Sequence, residues 1–288
     1  MIPIYKKEMR TYFTQMMGYL FLAFILLLIG LFFSLVNLRS RDANFQYVLS
    51  STTMIFLFLV PVLTMRLFAE EARHKTDQLL YTSPLSVTQI VLGKFFAAVT
   101  LFMFAAIITF IFPLMLNIYA ESMPVSRIVG SYVGWIFVGV SCIAVGVFIS
   151  VLTDNQIVAA AGTFAALFVM FLMDAFAISM PTSTFASIAF VVLVVVAVAG
   201  IWFNSTRNIL SSIVVALIGA AVVVGLYLFN NQVYDGIIVR ALNWFSIYAR
   251  YSRFAAGILN ISDIVYYLSF CMLFIYLSIN VIEKRRWR

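Results

Sequence analysis

Long uncharged stretches separated by short polar segments dominate the hydrophobic pattern of this chain. Each stretch holds the roughly 20 apolar residues that a helix needs to cross about 30 Å of hydrocarbon. The pattern therefore predicts an all-α, polytopic integral membrane protein, with residues 1–288 forming a single transmembrane domain. The eight predicted spans are Met16–Val36, Val48–Leu67, Leu92–Asn117, Ile128–Leu152, Gln156–Met173, Phe185–Phe203, Ile209–Phe229 and Ile264–Ile282.

The number of spans has one open alternative. The spans Phe185–Phe203 and Ile209–Phe229 would form a hairpin. If this hairpin does not cross the membrane, six spans remain and their orientation is unchanged, so the distribution of lysine and arginine does not decide between six and eight spans. Pro61 and Pro113 lie inside predicted spans and are expected to kink them. Membrane helices tolerate such kinks where neighbouring groups satisfy the carbonyl that proline leaves free.

Composition and charge support a membrane protein and give its orientation. Hydrophobic residues make up 64% of the chain and charged residues 10%, whereas a soluble domain has about a quarter charged residues. With the N-terminus inside, 12 of the 18 lysines and arginines fall in cytoplasmic segments. The positive-inside rule then predicts that both termini are cytoplasmic, in a bacterial-type cell membrane. The same rule explains the net charge of +7, so no nucleic-acid partner is expected.

Two segments outside the spans have helical amphipathic spacing. Residues 1–15 place Tyr5, Met9 and Phe13 opposite the basic side chains, which predicts a helix in the cytoplasmic membrane interface. The alternative is a simple basic flank of the first span. Residues 230–263 are rich in aromatic side chains and are predicted to rest on the outer leaflet as one or two helices. A lid over a substrate exit is the alternative.

The segment 69–91 is a compact polar insertion between two apolar stretches. Phe68, Ala72 and Thr76, followed by a leucine pair, form an apolar stripe that predicts a helix ending near Tyr81. Ser83–Pro84 then reads as the N-cap and first-turn proline of a second helix. That helix continues into the third span, where Lys94 is expected to extend its ammonium group to the lipid headgroups.

The charges of this segment favour a protein partner. Five charged residues of both signs lie between Glu70 and Asp77, whereas anionic lipid selects lysine and arginine alone. The alternative is an ordinary polar loop.

Sequence motifs for catalysis and metal binding are absent. No Gly-x-x-x-x-Gly-Lys-Ser/Thr phosphate loop occurs, so this chain is not expected to hydrolyse ATP. His74 has no cysteine or second histidine nearby to complete a metal site. A stripe of small residues in the fourth span indicates a helix–helix seam, with a substrate-path wall as the alternative. This stripe consists of Gly139, Cys142, Gly146 and Ser150.

The segment around residues 63–94 resembles type-2 ATP-binding-cassette (ABC) transporter permeases. The resemblance is closest to the branch of the gliding-motility permeases and the permease for nitrous-oxide-reductase maturation, and it covers about residues 1–175 and 244–288. The matching residues are Glu70, Glu71, Thr76, Leu79, Leu80, Pro84, Gly93 and Lys94, and in the tail Phe254, Gly257, Asp263 and Tyr267.

This chain departs from the family pattern in two respects. The family often has glycine where this chain has Lys75, so the local backbone geometry is expected to differ there. The family also commonly has six spans.

The resemblance implies an ABC exporter permease whose coupling helix docks in a groove of a separate cytoplasmic ATPase. The docking residues would be Glu70, Glu71, Arg73, Lys75, Thr76, Asp77, Leu79 and Leu80. It further implies two permease copies, or a related pair, surrounded by lipid; ATP is used by the partner and this chain binds no cofactor. The alternatives are an ion-coupled secondary transporter, which needs an intramembrane charge, and a membrane-embedded lipid-processing enzyme, which needs paired carboxylates or histidines.

Overall fold

Every regular element in the described part of the chain is a helix. The computed structural model describes residues 1–76, 85–119, 124–206, 209–219 apart from 212 and 215, and 236–286. The all-α, polytopic fold class is confirmed. The α-helices are α1 Ile2–Thr14, α2 Met16–Phe33, α3 Gln46–Thr53, α4 Phe56–Thr64, α5 Ala69–Arg73, α6 Val87–Thr109, α7 Ile111–Tyr119, α8 Val125–Leu152, α9 Gln156–Ser179, α10 Thr184–Thr206, α11 Ile209–Gly219, α12 Ile237–Phe245, α13 Tyr251–Ala255 and α14 Ile261–Arg286. A π-helical segment, Ser34–Leu38, continues α2.

Six helical segments in the described residues are long and apolar enough to cross a membrane. The second predicted span is instead a helix pair, α3 and α4, bent by 59°, and counting this pair as one span gives seven. Of the predicted span Ile209–Phe229, the described part is the shorter apolar helix α11, and residues 220–229 lie outside the described residues. The six segments are Met16–Leu38, Val87–Ile118, Val125–Leu152, Gln156–Ser179, Thr184–Asn204 and Ile261–Arg286.

The bend in the second span does not coincide with its proline. Pro61 lies inside α4, whereas α3 ends at Thr53 and the chain turns at Met54 and Ile55. All four hydroxyl side chains of residues 50–53 donate to backbone carbonyls three or four residues earlier. Such back-bonding competes with the helix ladder and bends helices. The span is bent, as predicted, but the break lies at Met54 and Ile55, directly after the run of hydroxyl residues, and not at Pro61.

Pro113 has the effect expected of it. The third span breaks at Phe110, between α6 and α7, and Pro113 has no N–H to donate to the carbonyl of Thr109, four residues earlier. The hydroxyl of Tyr132 in α8 donates to that carbonyl at 3.0 Å. A neighbouring helix thus satisfies the acceptor that the proline leaves free.

The chain divides into two compact units, Met1–Phe171 with Ile247–Arg288, and Leu172–Ser246. In the first unit α8 is the central helix and packs against α3, α4, α6, α13 and α14. Its fully buried Trp135 contacts the rings of Phe56 and Phe102, with centroid distances of 5.0 and 4.9 Å. In the second unit α12 packs against α10.

One face of the segment after Ser246 is buried in the protein core. The sequence predicts that residues 230–263 rest on the outer leaflet, but α13 packs against α8 and Phe254 is completely buried. Gly130 and Gly134 of α8 permit this approach, because a Cβ at either position would lie within 2.5 Å of an atom of Phe254. The prediction is wrong for this half of the segment.

The tail residues that carry the family resemblance stabilise this same segment. Gly257 adopts a left-handed φ of 82° next to the backbone of Arg127. The buried Asp263 pairs with Arg253 at 2.7 Å, and the Tyr267 hydroxyl donates to the carbonyl of Ile247 at 2.7 Å. These contacts attach the start of α14 to the chain that precedes it.

We predict that Tyr132→Phe lowers the free energy of unfolding by about 1–3 kcal/mol, because it leaves the buried Thr109 carbonyl without a donor. Pro113→Ala restores a backbone N–H, so the Tyr132→Phe cost should shrink in the Pro113→Ala background. Thermal unfolding in detergent measures both effects. Tyr276→Phe, at an exposed tyrosine of α14, is the control. Equal costs of Tyr132→Phe in the two backgrounds would contradict this account.

Candidate functional site at the α5 end of the first unit

A buried lysine joins four segments of the chain. Lys94, two turns into α6, is 1% exposed, and its Nζ lies 2.9 Å from Glu8 Oε1 in α1 and 2.9 Å from Glu71 Oε2 in α5. The same Nζ donates to the carbonyl of Leu67 at 2.5 Å, beyond the end of α4. A buried ammonium is costly unless it is paired and hydrogen-bonded. We call this arrangement the Lys94 junction; the expectation that Lys94 reaches the headgroups is wrong.

Glu71 connects the Lys94 junction to a second lysine. Its Oε1 accepts from Lys7 Nζ at 2.7 Å. Burial opposes the charged form of Glu71, but the charges and hydrogen bonds of Lys94 and Lys7 outweigh it and lower its pKa. Burial likewise opposes charge on Lys7, yet the hydrogen bond to Glu71 raises the pKa of Lys7. The carboxylate of Glu71 is therefore ionised at neutral pH and shared by α1 and α6.

Gly93, next to Lys94 in the sequence, allows α1 to approach α6. A Cβ at Gly93 would lie 3.1 Å from side-chain atoms of Ile4. Ile4, Glu8 and Tyr12 form the buried face of α1, and α1 packs against α6 and α2. The helix predicted for residues 1–15 thus packs against protein along a face centred on Glu8. Its contact with the membrane interface stays a prediction.

The second acidic residue of α5 is also paired. Arg66 binds the Glu70 carboxylate with two hydrogen bonds, Nε to Oε2 at 2.6 Å and Nη2 to Oε1 at 2.8 Å. The hydrogen bond from Arg66 lowers the pKa of Glu70. Glu70 and Glu71 therefore both bind basic side chains of the same chain.

The N-terminus of α5 is capped by a residue of the central helix. Its own N-cap residue, Phe68, makes no side-chain cap. Instead Ser150 Oγ of α8 accepts from the N–H groups of Phe68 and Ala69 at 3.1 and 3.3 Å. The first N–H groups of a helix lack partners within the helix, so Ser150 supplies an acceptor that α5 does not contain.

The rest of the small-residue stripe of α8 packs against other helices. A Cβ at Gly146 would lie 2.3 Å from Thr64 Oγ1 of α4, and one at Gly139 would lie 2.4 Å from the ring of Phe102 in α6. Cys142 is buried with its Sγ 3.8 Å from Tyr248 Oη. The two glycines thus contact α4 and α6, and Cys142 contacts the segment between α12 and α13; the choice between a helix–helix seam and a substrate-path wall stays a prediction. Only Ser150 of the stripe belongs to the α5 site.

The helix α5 is shorter than the sequence predicts. It ends at Arg73 rather than near Tyr81, and Thr76 is exposed instead of lying on a buried stripe. The backbone N–H of Lys75 donates to the Ala72 carbonyl at 3.1 Å, and the backbone N–H of Thr76 donates to the Glu71 carbonyl at 3.0 Å. This pair of bonds defines a Schellman motif, which ends a helix with a left-handed residue.

Lys75 is that left-handed residue, with φ of 57°. Glycine usually occupies such a position because a Cβ is strained there. The expectation that the backbone at Lys75 departs from a glycine-like geometry is therefore wrong. The remaining predicted positions of the segment, Asp77, Leu79, Leu80, Ser83 and Pro84, lie outside the described residues. The next described helix, α6, begins at Val87 with Ser86 as its N-cap.

Sequence reasoning missed Glu8. It is the one acidic residue of a basic N-terminal helix, and it lies four residues from both Ile4 and Tyr12. This spacing places Glu8 on the same helix face as Ile4 and Tyr12, and it was the sequence feature that could have indicated a buried, paired carboxylate. His74 is exposed, and within the described residues no cluster of His, Cys, Asp or Glu is arranged to hold a metal ion.

The long apolar helices define this chain as an integral membrane protein. The family model described as ABC-2 family transporter protein matches residues 33–229, more than half of the chain. The chain belongs to this family and is an ABC transporter permease, a membrane component that works with an ABC ATPase subunit. No curated protein and no solved structure matched the chain.

The family match and the sequence resemblance cover different ranges. The match includes α5, the Lys94 junction apart from Glu8, and the hairpin region through residue 229. It stops before the tail that contains Phe254 and Asp263. The membership in a particular branch of the family stays a prediction.

We predict that Lys94→Met lowers the free energy of unfolding by about 3–5 kcal/mol, because it leaves the carboxylates of Glu8 and Glu71 without their buried partner. Adding Glu8→Gln should recover part of this loss, since Glu71 still pairs with Lys7. Thermal unfolding in detergent reports both values, and Lys6→Met at an exposed lysine is the control. A Lys94→Met cost no larger than that of Lys6→Met would refute the Lys94 junction.

We also predict that Lys75→Gly raises the free energy of unfolding by about 1 kcal/mol, because it relieves the left-handed strain. Lys75→Ala removes the same charge but retains the Cβ, so it should give no such gain. The same melting assay compares the two variants. An equal effect of both substitutions would show that charge, not backbone conformation, determines the change.

Proposed function

We propose that this permease couples ATP hydrolysis by a separate cytoplasmic ABC ATPase to the export of a substrate across a bacterial-type cell membrane. In this proposal α5 is the coupling helix, and two permease copies or a related pair form the translocation pathway. The observation that carries the proposal is the attachment of α5 to α1 and α6 through the Lys94 junction and to α8 through Ser150.

A five-residue helix is too short to be stable by itself. The contacts from α1, α6 and α8 hold α5, and they are short, polar and mostly buried. A force on α5 would therefore reach the third and fourth predicted spans directly. That property is what a coupling element between an ATPase and a membrane domain requires.

The charge distribution supports a cytoplasmic location for the α5 end. Lys6, Arg10, Arg73 and Lys75 are exposed there. The end of α14 lies at the same end of α8, because Arg285 pairs with Asp154 at 3.2 Å and donates to the carbonyl of Leu152. Under the positive-inside rule both termini are then cytoplasmic.

The described residues give little support to the two alternatives. An ion-coupled transporter needs a carboxylate in the membrane interior. The buried acidic residues Glu8 and Asp263 are instead paired with lysine or arginine, Glu8 in the predicted interfacial helix α1 and Asp263 in the first turn of α14. A lipid-processing enzyme needs clustered catalytic carboxylates or histidines. The sequence has one histidine, and it is exposed in the described structure.

The exposed apolar side chains of the long helices are the surface on which we expect lipid or the second permease copy. Examples are Leu27 in α2, Phe104 in α6 and Leu193 in α10, each at least 47% exposed. In water such surfaces would associate, whereas in a bilayer they match the hydrocarbon.

The proposal is tested by purifying the tagged chain in mild detergent from its native source, identifying a phosphate-loop ATPase that accompanies it, and reconstituting both in liposomes. We expect the permease to change the ATPase rate. Ser150→Ala should reduce that change because α5 loses its cap, which is worth about 1 kcal/mol. Ser141→Ala, another buried serine of α8, is the matched control.

Two results would overturn the proposal. One is that no ATPase accompanies the chain or responds to it. The other is that Ser150→Ala and Ser141→Ala have the same effect on the ATPase rate.

A further inference from the structure

We propose that the exposed turn after α5, residues Arg73–Thr76, binds an acidic surface of the ATPase subunit. We call these four residues the basic turn. The proposal rests on the proposed function, and it replaces the mixed-charge docking surface that the sequence suggests.

The first observation is that both acidic residues of α5 are already paired with basic side chains of the same chain. Glu71 binds Lys94 and Lys7, and Glu70 binds Arg66 through two hydrogen bonds. A carboxylate already bound to a buried ammonium leaves little negative charge for a partner to recognise. Among the described residues of the segment, both acidic side chains are thus paired within the chain.

The second observation is that the basic residues of the same segment face outward. Arg73 and Lys75 are exposed, and within the described residues no carboxylate pairs with either of them. The exposed charged side chains of residues 73–76 are therefore both basic. Complementary potential on a partner steers association and suppresses wrong partners.

The third observation is that the backbone of the basic turn is fixed. The Schellman bonds from Lys75 and Thr76 determine how these two residues leave α5. A fixed arrangement of two charges and a hydroxyl suits a protein surface with carboxylates in matching positions.

The number of charges also favours a protein over a membrane. Recognition of anionic lipid takes clusters of about 4–8 lysines and arginines, each contributing about 1 kcal/mol. The basic turn itself has two such residues, and the exposed Lys6 and Arg10 at the same end belong to the separate helix α1. We therefore commit to an acidic protein surface, and the membrane becomes an outcome of the test.

The test measures the affinity of the purified ATPase subunit for the permease in nanodiscs of phosphatidylcholine, with and without phosphatidylglycerol. We expect Arg73→Glu with Lys75→Glu to weaken binding about tenfold or more in both lipids, because like charges then meet. The affinity of the original chain should fall as salt increases. Lys6→Glu with Arg10→Glu is the matched control, since it makes the same charge change at exposed residues of α1.

The outcomes separate this inference from the proposed function. If the original chain binds no ATPase, the proposed function itself fails. If the original chain binds but reversal of the basic turn leaves affinity unchanged, or the control weakens it equally, the inference is overturned and the function stands. A loss confined to nanodiscs with phosphatidylglycerol overturns it in favour of an anionic membrane surface. Unchanged melting of both double variants shows that the loss is not caused by unfolding.

Discussion

The need to neutralise one buried ammonium group organises the α5 end of this permease. Lys94 is inaccessible to water and depends on Glu8, Glu71 and the Leu67 carbonyl, which come from three other segments of the chain. None of these groups is a neighbour of Lys94 in sequence. Because a buried charge without its partners is strongly unfavourable, the four segments are held in one arrangement. The short helix α5 exists as an ordered element only within it.

The second constraint is the close approach of neighbouring segments, which glycine residues permit because they have no Cβ. Gly93 brings α1 to the Lys94 junction, and Gly130 and Gly134 bring α13 against the other half of α8. In a bilayer, helices gain little from burying apolar surface, so packing at small residues contributes much of their association. At the Lys94 junction the two kinds of contact occur side by side, since Gly93 permits the close approach of α1, the helix that carries Glu8.

The sequence predicts the parts of this fold that depend on local properties. Hydrophobic length locates α2, α6, α8, α9, α10 and α14, because crossing a bilayer requires a long apolar helix. Pro113 predicts a break because its missing N–H acts within one turn. The bend at Met54 escapes prediction because the proline at 61 is a stronger signal than a run of four hydroxyl residues.

Long-range pairing was not predictable in the same way. The polarity of the α5 segment is evident from Glu70 and Glu71. Arg66, the partner of Glu70, lies only four residues away, but Glu71 pairs with Lys7 and Lys94, which are distant in the chain, so the inward position of Glu71 is not evident from the sequence. Likewise α13 has the composition of a surface helix, and its burial depends on Gly130 and Gly134 of another helix. The docking roles assigned to Glu70 and Glu71 from the resemblance remain untested, and their ion pairs give them a structural role within the chain.

The serine cap at the N-terminus of α5 is one of two contacts that α8 makes with short helices at positions far apart along its length. Near one end, Ser150 binds α5; near the other, Gly130 and Gly134 receive α13. An α-helix of 28 residues is about 42 Å long and rises about 1.5 Å per residue, so these attachment points lie about 25–30 Å apart along one axis. One continuous helix joins the two attachment points. An axial displacement of α5 must move α13 as well, or else break the serine cap or the glycine contacts.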